Sequence, residues 1–308
     1  MTRRDLKYWL RLLRFTVFVL VAFPACAFVL LPLYLAFVYA APVPSIVNRP
    51  ADLGFPVEDV EFIGGDDLTL RAWYTPPRGD ALIILLHGYF SNRLQLRFQA
   101  EVLASAGYGL LMVDERASGE SDGTQRALGW PDVADIRGAL DFLNSRRCDA
   151  STTTGCVRWV GIAGCSIGGQ IALRAAAQYP DIQAVLADGP SMVSAADFPP
   201  PDTWFAALMT PHQWLIDRFL ELRTGLSAPP TIMETIHTIA PRPILLIAGS
   251  TVDPIFSGEV VRIRQYQQAA GSNAQLWEVP GGRHCDGPAV APADYARRML
   301  DFFDAASR

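Results

Sequence analysis

The pattern Gly164-Cys165-Ser166-Ile167-Gly168, with Gly169 behind it, constrains this chain more than any other stretch. Before it runs Val157-Arg158-Trp159-Val160-Gly161-Ile162-Ala163, a short apolar run that reads as a buried strand. After it runs Gln170-Ile171-Ala172-Leu173-Arg174-Ala175-Ala176-Ala177, which is strong helix-forming material. Strand, G-x-S-x-G and helix together make a nucleophile elbow. The requirement is steric: a turn this sharp strains the backbone at the serine and brings neighbouring backbones close, so the flanking positions must be small. Ser166 then stands clear of the sheet at a helix N-terminus, where free N–H groups favour a developing negative charge.

An elbow needs a large core around it. At 308 residues and 50% hydrophobic, the chain holds enough for one large domain or two small ones. Its net charge of −5 gives no basic surface for nucleic acid. The four histidines and five scattered cysteines lack C-x-x-C or H-E-x-x-H spacing, so neither a metal site nor a cofactor is expected.

The N-terminus reads differently from the rest. Residues 1–14 carry Arg3, Arg4, Lys7, Arg11 and Arg14 against the single acid Asp5. Residues 15–41 carry no charge and suffice to cross the hydrocarbon layer as a helix, kinked but not forbidden by Pro24 and Pro32. A cleaved signal peptide is the alternative, with Val38-Tyr39-Ala40 as the cleavage site. The apolar run exceeds the ~7–15 residues of a signal core, which favours an uncleaved anchor. The basic cluster places the N-terminus in the cytoplasm and the remainder outside. Residues 42–56 are Pro-rich and read as a stiff linker.

From residue 57 to 308 the pattern is that of one catalytic domain. A hairpin is expected from Val57–Ile63 and Leu68–Tyr74 around Gly64-Gly65-Asp66-Asp67. Ala81–Leu86 is continuously apolar, as a central parallel strand must be, and stops at His87-Gly88-Tyr89. The loop there is the expected source of a second oxyanion donor beside the N–H of Ile167: the backbone N–H of Tyr89, with Phe90 as the alternative. His87 is expected to brace this loop without taking a proton. The polar run from Asp114 to Gly123 reads as a hydrogen-bonded turn supporting the floor of the site. Residues 190–240, with Pro199-Pro200-Pro201, Trp204, Phe205, Met209, Trp214 and Phe219, read as an aromatic cap that shapes an apolar acyl pocket. Cys148 and Cys156 bracket a small polar loop. Outside the cytoplasm a disulfide there is reasonable; inside, two free thiols.

Ser166 needs a base. His87 lies in the oxyanion loop, and His212 and His237 fall inside the cap. His284 follows the last strand in the Gly-rich loop Pro280–Asp286, which places it as the base. The orienting acid is expected at another strand end. Asp253 fits best, Asp188 is the alternative, and Asp286 is too near His284 in the chain.

The set HGYFSN, DERASGESDG, GCSIGG, GSTVDP and GGRHCD, in this order and spacing, resembles the α/β-hydrolase superfamily. Within it the chain is similar to single-span membrane-anchored serine hydrolases near the serine-aminopeptidase and monoacylglycerol-lipase-like branches. The resemblance implies an eight-stranded, mostly parallel sheet with helices on both faces. It departs at Arg116-Ala117, where relatives often have Arg-Gly, which questions the shape of that loop. The function expected is hydrolysis of a small or lipid-like carboxylic ester through an acyl-enzyme. The alternatives are a peptidase or amidase on the same triad, or a catalytically silent binding protein.

Overall fold

A computed structural model describes residues 3–148, 155–198, 200, 204–251 and 258–308. The core is an eight-stranded sheet: β1 (Glu58–Ile63), β2 (Thr69–Thr75), β3 (Ala81–Leu86), β4 (Gly109–Val113), β5 (Trp159–Cys165), β6 (Ala184–Asp188), β7 (Ile244–Gly249) and β8 (Ala274–Val279). Their order across the sheet is β8-β7-β6-β5-β3-β4-β2-β1, parallel except where β2 pairs with β1 and β4. The central strands are apolar on both faces because both faces are covered. The helices are α1 (Arg3–Ala40), α2 (Arg97–Ala106), α3 (Asp132–Asn144), α4 (Ile167–Gln178), α5 (Trp204–Thr224), α6 (Glu259–Ala270) and α7 (Pro292–Ala306), with shorter helical turns between. One face of the sheet buries residues of α3, α4 and α6; the other buries α2 and α7.

Register decides where the site forms. Leu86 at the end of β3 lies opposite Gly164 of β5, and Cys165 lies opposite Asp188 of β6. The loops after β3, β5 and β6 therefore emerge side by side at the carboxyl edge. β4 and β5 flank β3 on opposite sides, so this edge is also a switch point in strand order.

α1 is a single helix whose Lys7–Ala40 segment is long and apolar enough to cross a membrane, with mean hydropathy 2.5 over its most apolar window. Its last turn is not free. Ala36 and Ala40 are each 1% exposed within the core. The orphan carbonyls at its C-terminus are capped from the domain: the Tyr89 hydroxyl donates to Tyr39 O, and the Arg126 N–H to Ala40 O at 3.2 Å.

The segment read as a linker is docked as well. Val43 N–H donates to Ala117 O at 2.7 Å and Ser45 N–H to Gly119 O at 2.8 Å, while Val47 and Leu53 are buried. The structure joins Cys148 to Cys156 as a disulfide.

The polar loop after β4 is a turn held by carboxylates, as its composition suggested. Asp114 accepts from the N–H groups of Arg93 (2.8 Å) and Glu120 (2.9 Å), and Arg116 pairs with Asp135 at 2.7 Å. Ala117 takes φ 53°, the left-handed region that glycine enters without strain. The alanine thus adopts the conformation a glycine would.

Candidate active site

Ser166 leaves β5 with φ 56° and ψ −115°, outside the ordinary regions, and hands the chain directly to α4. The glycines around it are obligatory. A Cβ on Gly164 would lie 2.2 Å from the Gly168 carbonyl carbon, and one on Gly168 would lie 2.3 Å from Leu86 O. The N–H of Ser166 donates to Asp188 O at 2.8 Å, which fixes the elbow against β6.

The Ser166 hydroxyl lies 2.9 Å from His284 Nε2 and donates to it. On the far side of the ring, Nδ1–H donates to Glu259 Oε2. Glu259 is the first residue of α6, almost wholly buried, and its other oxygen accepts the Gly249 N–H at 3.2 Å. With Nδ1 holding its proton toward a carboxylate, Nε2 keeps its lone pair toward Ser166. That is the tautomer a general base requires.

The acid expected from the sequence is Asp253. Asp253 lies outside the described residues; among those described, the carboxylate on Nδ1 is Glu259. The longer side chain reaches back from the first helical turn to the ring. No sequence signal marked it beyond its place just after the loop that follows β7. Asp188, the alternative, does not meet the imidazole. Its carboxylate accepts from the Tyr295 hydroxyl at 3.0 Å beneath the elbow, and burial pushes its pKa up to about 7. Its main-chain oxygen also accepts from Cys285 Sγ at 3.3 Å.

The loop after β3 and the first turn of α4 line the cavity beside Ser166. The Ile167 N–H, at the first position of α4, has no acceptor within that helix. Tyr89 lies beside it, lining the same cavity. Its ring is sandwiched: the Arg126 guanidinium sits 3.8 Å from its centroid, and Tyr39 of α1 meets it edge to face at 5.8 Å. Phe90 takes φ 58° and is exposed.

His87 braces the loop. Its Nε2 accepts the Glu115 N–H at 3.1 Å, so Nδ1–H donates to Gly88 O at 2.8 Å. Burial pushes its pKa down to about 3, so the ring stays neutral.

These groups open on a cavity of about 440 Å³. Its walls come from Tyr39 of α1, Leu128, Met192 and Val193, with Gln213 of α5 and the Ser191 hydroxyl as polar points. That volume is in the range of small-molecule pockets.

Comparison with known proteins agrees with this architecture. The alpha/beta hydrolase fold family model matches residues 81–232. The chain is 36% identical over 138 residues to Polyketide transferase ATR5 of Stachybotrys chlorohalonatus, a match spanning 44% of each chain, less than half the length of that relative. Among solved structures, the Pyrococcus furiosus esterase Pf2001 superposes with TM-score 0.67 at 24% identity, covering 87% of this chain and 99% of the other. A membrane phospholipase A, a bacterial virulence factor, superposes over 100% of both chains, with TM-score 0.58 and 15% identity. Sheet order, elbow and family model together give the chain the α/β-hydrolase fold.

Proposed function

We propose that the protein is a serine hydrolase that cleaves a carboxylic ester through Ser166, His284 and Glu259. The observation that carries this reading is the hydroxyl–imidazole–carboxylate line on a strained elbow, with Ser166 Oγ 2.9 Å from His284 Nε2. As Ser166 Oγ attacks the ester carbonyl, its proton passes to Nε2, and Glu259 stabilises the imidazolium that forms. The carbonyl oxygen becomes an oxyanion held by the N–H groups of Ile167 and Tyr89, each donor worth about 3 kcal/mol in the transition state. The tetrahedral intermediate collapses, His284 returns the proton to the leaving alcohol, and an acyl-enzyme remains. Water, deprotonated by the same imidazole, then attacks the acyl carbon and restores Ser166.

α1 is read as an uncleaved anchor, with its basic N-terminus in the cytoplasm and the catalytic domain outside. Two features support this. The helix end is buried in the domain and capped by it, so cleavage near Ala40 would strip part of the core and a wall of the cavity. The Cys148–Cys156 disulfide fits an oxidising compartment.

The test is hydrolysis of p-nitrophenyl esters of increasing acyl length by the full chain in detergent, with Ser166→Ala as control. Turnover that vanishes in the control is expected. Equal turnover in both would refute the reading, and turnover of p-nitroanilide amides instead would move it to an amidase.

A further inference from the structure

α5 is a cap helix in sequence position, yet half of it belongs to the anchor. Phe28 of α1 meets His212 edge to face at 5.6 Å, and the Arg223 guanidinium lies 5.5 Å from the Phe37 ring. Both pairs advance in the same sense, so α5 runs parallel to α1. Its C-terminal half is fixed to the domain. Leu220 and Ile216 are buried, Asp217 accepts the Ala195 N–H at 2.7 Å, and Thr224 O accepts from Gln125 at 3.3 Å. Its N-terminal half projects from the body along α1, with Trp204 79% and Trp214 44% exposed. Residues 204–216 contain no Asp, Glu, Lys or Arg. Their exposed face forms a shallow, almost wholly apolar groove of Ala207, Thr210, Pro211, Trp214 and Leu215, closed at one end by Arg218.

The heights agree with a bilayer. If the hydrocarbon layer begins at Phe15, just past the last basic residue Arg14, then Phe28 stands about 20 Å into a layer about 30 Å thick. His212, against Phe28, is therefore about 10 Å below the surface on the domain's side. Arg218 rises about 9 Å above His212, which sets its guanidinium at the headgroups. The first charges on α5 thus coincide with the boundary that α1 defines independently.

We propose that the N-terminal half of α5 is a second membrane-embedded element, seated beside α1 and reaching from the catalytic-side surface past the bilayer midplane, with Trp204 about 12 Å deeper than His212. The Ser166 cavity, walled by Tyr39 from α1 and Gln213 from α5, thereby borders the hydrocarbon layer and takes the acyl chain of a bilayer ester. The occupant of the groove is lipid hydrocarbon, because the groove continues the apolar surface of the spanning helix. This rests on reading α1 as the anchor and Ser166 as the nucleophile.

The test uses the full chain in phosphatidylcholine vesicles, with lipids brominated midway along their acyl chains, comparing wild type with Trp204→Phe. The difference in emission isolates Trp204. Bromine is expected to quench that difference by more than half, with aqueous iodide nearly without effect. Quenching by iodide and not bromine would put α5 in water. Shielding from both would put protein, a second copy of the chain, on this face. Either result overturns the proposal. A second variant, Gln213→Lys, tests the entry path by placing a charge on the α5 wall of the Ser166 cavity. The ratio of turnover on a vesicle-borne long-chain ester to that on a soluble short-chain ester is expected to fall at least tenfold. An unchanged ratio would overturn lateral entry. Absence of turnover on both esters by wild type would remove the hydrolase reading and the entry path with it, while the fluorescence difference still decides where α5 lies.

Discussion

Replacing Glu259 by glutamine changes one atom and reverses a proton. Glu259 Oε1 accepts the Gly249 N–H, so the oxygen of the replacement amide stays there and its NH2 group faces His284. An NH2 group at that point donates to Nδ1, which then carries no hydrogen. The imidazole proton moves to Nε2, and the ring can no longer take one from Ser166, 2.9 Å away. The flipped amide would set donor against donor at Gly249. Charge is lost as well: a carboxylate and an imidazolium about 4 Å apart interact by about 4 kcal/mol at an effective dielectric of 20. At 1.36 kcal/mol per tenfold, that alone is about a thousandfold, and the wrong tautomer adds to it. A fall in kcat/KM of roughly 10³–10⁴ is expected on p-nitrophenyl butyrate, with Tm close to wild type because the side chain keeps its shape. Asp253→Asn is the companion variant, expected to stay within about tenfold. If E259Q stays within tenfold while D253N loses a thousandfold, the orienting role belongs to Asp253 and the reasoning is refuted.

Three further outcomes are expected. Ala117→Gly relieves a left-handed alanine at φ 53°, worth ~1–2 kcal/mol, partly offset by the entropy of glycine. A net gain of about 0.5 kcal/mol and a Tm rise of ~1–2 °C by calorimetry follow, and a fall in Tm would contradict it. Removing the Cys148–Cys156 disulfide by double alanine substitution opens a loop of sequence separation 8, which costs about 2.5 kcal/mol by loop entropy. Denaturant unfolding under non-reducing conditions checks this. For Asp188, burial holds the folded pKa at about 7 against 3.8 for an unburied carboxyl. The proton is bound in both states below about pH 4, so its contribution is complete there and is lost as pH rises to about 7, by on the order of 4 kcal/mol. Asp188→Asn removes this dependence: its stability relative to wild type is expected to grow between about pH 4 and 7 and level off above, and parallel curves would contradict the assignment.

The elbow was legible because its constraint is local. Gly164 and Gly168 are required by contacts within a few residues and with one adjoining strand end, so pattern and context suffice. His284 was legible by elimination, since each other histidine sits where no base can act. Glu259 was not, because nothing local distinguishes a glutamate in the first turn of a helix from a favourable helix-dipole residue. Only tertiary placement brings it under the ring. The segment at 42–56 has the composition of a linker, and its docking depends on carbonyls of the Ala117–Gly119 turn far along the chain. The pairing of α5 with α1 was hidden for a different reason. Both are apolar, and an apolar face signals burial without naming what covers it.

The most direct measurement is mass spectrometry of the full chain after reaction with a fluorophosphonate. The account predicts one adduct per chain, on Ser166, formed at least a hundredfold more slowly in His284→Ala. An adduct on another residue, or wild-type labelling of Ser166 in the histidine variant, would contradict it.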